Sequence, residues 1–314
     1  MRRGELAITH NLTTTGPRAS IRRAPAEGSF VANPGAQALR RLLERPELLV
    51  MPCCYDGLSA RLIERAGFPL SFMSGFSVAA ARLGLPDTGL ISYGEMLDQG
   101  RAILESVSIP VIGDGDTGYG NAANVERTVE GYARAGFAAI MIEDQVAPKR
   151  CGHTQGKDVI ARDDAIARLK AALRARDSGA DILILARTDA RATLGLEEAL
   201  WRMEAFEALG ADILFLEAPN TRAEMEAFNR RVTAPTMANL IHGGRTPVLT
   251  ATELEALGYR IAAYPLALIG AAVAAMEQAL EALKQGTMPE AQAGFGHLLD
   301  IVGFDAYNQR LNKD

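Results

Sequence analysis

Cysteine is scarce in this 314-residue chain, and its three copies fit no framework. Cys53 and Cys54 are adjacent, Cys151 stands alone, and no CxxC or Cys/His ligand spacing occurs. A disulfide scaffold and a structural zinc site are therefore not expected. Positive charge is not in excess: 33 Lys and Arg against 38 Asp and Glu leave a formal charge of -5. The basic residues are scattered instead of forming a stripe that could neutralise phosphates, so no nucleic acid partner is expected. No apolar run approaches the roughly 18 residues of a membrane span. Nor does an apolar core follow Arg2-Arg3 as it would in a secretory signal, so no membrane partner is expected and the expected location is the cytoplasm. His10 and His297 have no neighbours that would make them ligands or bases.

What is present is ordinary for a large soluble core: 48% hydrophobic residues, 23% charged, and 30 glycines. One phrase recurs, in which a helical pattern ends in a small residue plus Gly and a short apolar run follows. Ala66-Gly67 leads into Leu70 to Ser74, Ala135-Gly136 into Ala139 to Asp144, Leu209-Gly210 into Ile213 to Glu217, and Leu257-Gly258 into Ile261 to Tyr264. Glycine at the close of a helix takes the left-handed conformation that side chains resist. The further apolar runs Leu48 to Met51, Ile109 to Gly113, Ile182 to Arg187 and Pro235 to Asn239 bring the strands to eight. Continuous apolar strands alternating with helices suit parallel strands buried on both faces. The expected fold is α/β, a (β/α)8 TIM barrel, with a doubly wound open sheet as the alternative.

The expected division is a loose N-terminal tail over 1–35, a catalytic barrel over 36–286, and a helical extension over 287–314. Residues 1 to 26, with five arginines and one acid, could also be read as a transit segment. Leu266 to Gln285 is apolar nearly all round, and the segment after it carries Phe295, Leu298, Leu299, Ile301, Val302 and Phe304. A partner subunit is the expected cover, or the barrel itself for the last segment.

A barrel of this kind works at the C-terminal ends of its strands. Those ends are acidic: Asp114 and Asp116 after strand three, Glu143-Asp144 after strand four, Arg187-Thr188-Asp189 after strand five, Glu217 after strand six and Asn239 after strand seven. Asp114 and Asp116, two apart, could point the same way, with Gly115 leaving room for a ligand or water. An oxygen-only set favours a hard cation such as Mg2+, or Mn2+. The plainer reading is a turn before the helix that begins near Asn121. Between Gln145 and Asp158 runs a long polar connection holding Lys149-Arg150-Cys151-Gly152-His153 and Gly156. A mobile lid is the expectation, with Cys151 among cationic neighbours of the kind that activate a thiol for proton exchange. A loop cysteine without a task is the alternative. Cys53 and Cys54, read as following the first strand, are expected to pack as small hydrophobes.

Five ordered motifs then coincide: Leu83-Gly84-Leu85-Pro86-Asp87, Gly113 to Gly120 (GDGDTGYG), Ile142-Glu143-Asp144-Gln145, Lys149 to His153 (KRCGH) and Ala186-Arg187-Thr188-Asp189-Ala190. Together they resemble the isocitrate lyase and phosphoenolpyruvate mutase superfamily from about Leu48 onward. The Cys-Gly-His stretch is most similar to its short-chain branch, which includes 2-methylisocitrate lyase, 2,3-dimethylmalate lyase and petal death protein. The resemblance implies Asp87, Asp114, Asp116 and Glu143 as Mg2+ ligands, directly or through water. It implies Ser74, Gly75, Gly152, His153 and Asn239 as substrate contacts, and Cys151, Arg187 and Glu217 as catalytic residues. It further implies a homotetramer that exchanges C-terminal helices.

The implied reaction is cleavage of the C2–C3 bond of a small 2-hydroxy di- or tricarboxylate, of the 2-alkylmalate or methylisocitrate type. The products would be a 2-oxo acid and a carboxylic acid, with Cys151 protonating the enolate carbon. Alternatives within the superfamily are an oxaloacetate hydrolase or decarboxylase and a phosphonomutase-type enzyme. A non-catalytic dicarboxylate-binding barrel is the alternative outside it. Two departures bear on the substrate: His242 stands where the compared lyases carry Glu, and Phe72 where methylisocitrate enzymes carry Tyr. Tyr55, at the end of strand one, is a candidate base or a packing residue.

Overall fold

The computed structural model describes residues 32–152 and 156–312. Eight strands run β1 Leu49–Cys54, β2 Ser71–Met73, β3 Val111–Asp114, β4 Ala139–Glu143, β5 Leu183–Thr188, β6 Ile213–Leu216, β7 Met237–Asn239 and β8 Ile261–Tyr264. Every paired neighbour is parallel, in the order β6-β5-β4-β3-β2-β1-β8-β7. A parallel bridge between Leu214 and Thr236 joins β6 to the approach to β7 and draws the sheet into a barrel. The expected (β/α)8 TIM barrel is the fold.

The strands alternate between two cores. Met51, Cys53, Phe72, Ile112, Met141, Leu185, Phe215 and Met237 fill the inside. Cys54, Met73, Ile140, Ile142, Ile184, Leu214 and Ala238 face outward into the larger core beneath the helices. This explains why each strand reads as unbroken apolar sequence: both faces are buried. The first strand runs further than expected, and Cys53 and Cys54 are inside it, one on each face.

The helix Pro34–Leu43 brings Ala36 and Leu39 into the inner cluster. Its cap, Asn33, accepts from the amides of Gly35 and Ala36 and donates from Nδ2 to Phe137 O at 2.7 Å and Asp181 O at 3.0 Å. The chain from Asn33 on is thus tied to the N-terminal ends of β4 and β5, whereas residues 1–31 of the expected tail lie outside the described residues. The repeated glycines do what the pattern asks, with φ of 84° at Gly67, 102° at Gly136, 95° at Gly210 and 94° at Gly258.

Beyond the barrel, the helix Ala267–Lys284 has no buried residue and exposes Val273, Met276, Leu280 and Leu283. The following helix, Phe295–Val302, packs Ile301 against the barrel side. Arg61 Nη1 donates to Ile301 O at 3.3 Å and Arg65 pairs with Asp300 at 2.5 Å. Among the described residues no helix is long and apolar enough to cross a membrane.

Candidate active site

Parallel register carries the polar ends of the strands to one rim, where Glu143 of β4 lies directly beside Arg187 of β5. Within that rim is a recess. Its lining combines Ser74, Asp87, Asp114, Lys149, Cys151, Arg187, Glu217 and Asn239 with Phe72, Phe76, Phe215, Met237, Ile241 and Leu266.

The acids are locked by their own backbone. Asp114 closes β3, and its Oδ1 accepts from Asp116 N at 3.0 Å while Oδ2 accepts from Gly75 N at 3.1 Å. Gly75 is required there, since a Cβ would stand 2.5 Å from Asp114 Oδ2. Its amide is therefore committed to Asp114, and Gly75 does not line the recess as expected of a substrate contact. Asp116 lies past the strand end in the left-handed region, φ 48°, and its carbonyl accepts from Glu143 N at 2.9 Å. The expected room for a ligand at Gly115 is not there. A Cβ on Gly115 would meet Met141 O at 2.6 Å, so this glycine lets β3 approach β4.

Lys149 reaches into the acids, its Nζ 2.5 Å from Asp87 Oδ1 and 2.8 Å from Asp116 Oδ1. The Lys149 ammonium thus sits on both of these oxygens, whereas buried Glu143 Oε1 has no hydrogen-bond donor among the described residues. Burial, then the Asp116 charge, push the Asp114 carboxyl up to about 6 even with Lys149 nearby. Burial pushes Glu143 well above the carboxylate range against the pull of Arg187. Burial disfavours the charge on Lys149, but Asp116, Asp114, Asp87 and Glu143 together raise its pKa well above the usual value. A buried carboxylate oxygen without a donor, beside three further acids, is chemistry that a hard cation can use. Among the described residues no three acids close into a bare cage. Mg2+ takes oxygen ligands and keeps several water or substrate oxygens of its own, so carboxylates of this kind can serve it without closing a cage.

Arg187 occupies the floor between three carboxylates. Its Nε is 2.8 Å from Asp189 Oδ2 and 3.3 Å from Glu143 Oε2, and its Nη2 is 3.1 Å from Asp189 Oδ1 and 3.7 Å from Glu217 Oε2. The guanidinium carbon lies 5.3 Å from the centre of the Phe215 ring. Asn239 Nδ2 donates to Glu217 Oε2 at 3.4 Å, so the ends of β5, β6 and β7 share one network.

The long connection after β4 lies over this floor. It leaves and returns through an antiparallel bridge between Gln145 and Val159. Gln145 holds Arg150 from both sides, accepting from its amide at 2.9 Å and donating to its carbonyl at 2.9 Å. Cys151 is half-buried and lines the recess. Lys157, itself buried, donates to the carbonyl of Gly152 and pairs with Asp189 Oδ1 at 2.7 Å. His153, the remaining expected contact, lies outside the described residues.

Ser74, Asp87, Asp114, Cys151, Gly152, Arg187, Glu217 and Asn239 are thus brought together at the recess, with Asp116 and Glu143 packed against it. His242 is exposed and outside the lining, whereas its neighbour Ile241 is inside it. Tyr55 packs against the outer core and does not line the recess. Phe72 does line it. The residues that sequence reading passed over are Lys149 as the cation among the acids, and Lys157, Asp144 and Arg202 behind Arg187. Lys149 stands in the KRCGH motif, where it reads as a cationic neighbour of Cys151.

Residues 39–284 match the family model described as phosphoenolpyruvate phosphomutase. The chain is 42% identical over 275 residues to 2,3-dimethylmalate lyase of Eubacterium barkeri, covering 86% of this chain and 94% of that one. It is 41% identical over 276 residues to 2-methylisocitrate lyase of Aeropyrum pernix, covering 87% and 88%. Among solved structures, oxaloacetate acetylhydrolase in complex with 3,3-difluorooxalacetate superposes with a TM-score of 0.86 at 35% identity, covering 90% of this chain and 97% of that one. Phosphonopyruvate hydrolase in complex with oxalate and Mg2+ gives 0.79 at 30% identity, covering 89% and 98%.

Proposed function

The chain belongs to the phosphoenolpyruvate mutase and isocitrate lyase superfamily, and from that premise we propose that it is a carbon-carbon lyase acting on a 2-hydroxy dicarboxylate bearing an alkyl group. The observation that carries this reading is that Cys151 lines one recess together with Asp87, Asp114, Arg187 and a set of apolar side chains. Asp87, Asp114, Asp116 and Glu143 would hold Mg2+, or Mn2+, partly through water. When bound, the ion would lower the pKa of the C2 hydroxyl, whose proton passes to solvent as the C2 carbonyl forms.

Breaking the C2–C3 bond turns the C2 alcohol into a carbonyl and leaves the electron pair on C3 as an enolate of the departing acid. Arg187, already desolvated and fixed by Asp189, offers its guanidinium to that growing charge without reorganising. Glu217 and Asn239 keep the guanidinium and the substrate carboxylate in register. Cys151 gives its thiol proton to C3, and the thiolate is reprotonated from solvent. Ser74 and Gly152, with His153, complete the contacts to substrate oxygens. Phe72, Phe76, Met237, Ile241 and Leu266 receive the alkyl substituent and exclude water from the carbanion. A 2-alkylmalate or methylisocitrate type of acid meets both the charged and the apolar side chains of the recess. Within this reading residues 36–286 form the catalytic barrel and 287–314 an extension. The exposed apolar face of Ala267–Lys284 is covered by another copy, in a tetramer of cytoplasmic enzyme.

Hydrolysis of oxaloacetate is the second reading, favoured by the likeness to oxaloacetate acetylhydrolase. One experiment separates the two. Purified protein with Mg2+ is given 2,3-dimethylmalate, 2-methylisocitrate, 2-ethylmalate and oxaloacetate separately, products are followed by NMR, and Cys151→Ser is run beside it. Cleavage of an alkyl-substituted acid, lost in the variant, supports the lyase. Turnover of oxaloacetate alone replaces it with the hydrolase.

A further inference from the structure

Arg202 belongs to the helix Leu196–Leu209 on the outside of the barrel, yet it is only 1% exposed. Its guanidinium serves three acceptors in three directions: Nη1 to Asp144 Oδ2 at 2.8 Å, Nε to Glu198 Oε1 at 2.9 Å and Nη2 to Ile160 O at 2.9 Å. Asp144 follows Glu143 in sequence and points the other way, away from the recess, as the residue after it on an extended chain must. The same carboxylate organises the end of β5, accepting from Thr188 Oγ1 at 2.5 Å and from Asp189 N at 2.9 Å. Asp189 in turn grips Arg187 through both Nε and Nη2. Ile160, where the connection over the recess rejoins the barrel, donates its amide to Asp144 O at 3.0 Å.

We propose that Arg202 is a positioning residue for Arg187: acting through Asp144 and Asp189, it sets the angle at which the Arg187 guanidinium meets a carboxylate, and through Ile160 it aligns the base of the connection carrying Cys151. A fork of donors is needed for this. Lysine could supply the charge but satisfies one or two of the three acceptors. The role in binding rests on the reading of the recess as a carboxylate site, whereas the effect on Arg187 does not.

The test uses the full-length protein as Arg202→Lys and Arg202→Met, with Met203→Ala as a control. Met203 is a fully buried apolar neighbour on the same helix, within the outer core, and has no polar group to join the network, so its truncation reports loss of core packing. Two readouts are taken: oxalate binding with Mg2+ present, and the 15N–1H signal of Arg187 Nε, assigned by its loss in Arg187→Lys. Expected are a shifted Arg187 Nε signal in both Arg202 variants and an oxalate Kd about tenfold weaker or more in Arg202→Met, partly restored in Arg202→Lys, with neither readout moved in Met203→Ala. Should Arg202→Met not fold, Arg202→Lys carries the test through the Nε signal. An unshifted signal in folded Arg202 variants, or an equal shift in Met203→Ala, overturns the positioning role. A wild type that neither binds oxalate nor turns over any of the acids removes the functional reading instead and leaves the Nε result to stand or fall by itself.

Discussion

Gly152 rests directly on the guanidinium of Arg187: a Cβ built on it would overlap Arg187 Nη2 and stand 2.6 Å from Glu217 Cδ. The connection over the recess can lie this low only because residue 152 has no side chain. Gly152→Ala should therefore lift Cys151 from the floor, because the connection can rise more readily than the β5 and β6 ends beneath it. A displacement of about 1 Å between reacting groups costs on the order of 100-fold in rate. We expect kcat/KM to fall by about that factor while the protein still folds, with a lower thermal midpoint reporting whatever the buried contact contributes. Steady-state kinetics beside thermal unfolding decides it, and full activity in the alanine variant would mean that the low position of the loop is not the working one.

The three thiols should separate by accessibility. Cys53 and Cys54 are buried on opposite faces of β1; burial pushes the Cys54 thiol up to about 12 and the Cys53 thiol well above its usual range. Cys151 is half-buried at the recess. Iodoacetamide at pH 7.5 should add one label, at Cys151, and oxalate with Mg2+ should slow it. Cys151→Ser should lower turnover by about 100- to 10,000-fold, the usual share of a positioned proton donor, with oxalate affinity little changed. Peptide mass spectrometry reads the label. Equal labelling of Cys53, or unimpaired turnover by the serine variant, contradicts the assignment of the proton donor.

Much of this was legible in the sequence for one physical reason. A strand buried on both faces must be apolar throughout, so its end is marked by the first polar residue, and in a parallel barrel all such ends share one rim. Asp114, Glu143, Arg187, Glu217 and Asn239 were found in that way. The start of the barrel was less clear, because Pro52-Cys53-Cys54 looks like the end of a strand although β1 continues through it. The supports of Arg187 were hidden by distance. Lys157 meets Asp189 across 32 residues and Arg202 meets Asp144 across 58, and no local spacing announces either pair. Arg202 in particular sits among Glu and Trp on a helix that reads as a solvated face. Gly115 and His242 were misjudged for the same reason, since one glycine serves the neighbouring strand and the histidine turns outward.

Cation binding should expel protons. In the metal-free protein Asp114 is pushed up to about 6, so near pH 6 it holds a proton to a degree that an unfolded chain would not, and burial shifts Glu143 in the same direction. A folded pKa raised above the unfolded one adds stability at low pH, and that stability is lost as pH rises through the folded value. The metal-free protein should therefore lose this contribution between about pH 4 and pH 7, and Mg2+ should restore it by favouring the carboxylates. Calorimetric titration with Mg2+ at pH 6 in two buffers of different ionisation enthalpy should show release of about one proton, with affinity rising between pH 5 and 7. Binding heat that is the same in both buffers, with a flat affinity, would exclude these acids as the site.

Asp189 should govern the acid limit of the fold. Burial works against its ionisation, but Arg187 and Lys157 outweigh burial and hold the carboxyl well below the usual range. An unfolded Asp titrates near pH 3.9, so the folded value is the lower of the two. The stabilisation is then complete above about pH 5 and drains away as pH falls through 4 toward the folded value. Lys157→Met removes one of the two cations from a fully buried carboxylate, at a cost of about 3–5 kcal/mol near neutrality. Because the wild type is itself losing this contribution in acid, the gap between the two proteins should narrow as pH drops from 7 to 3. Urea unfolding at pH 7, 5 and 3 measures the gap directly. If the difference is the same at all three, the charge on Asp189 is not what Lys157 protects, and its role reduces to holding the carbonyl of Gly152.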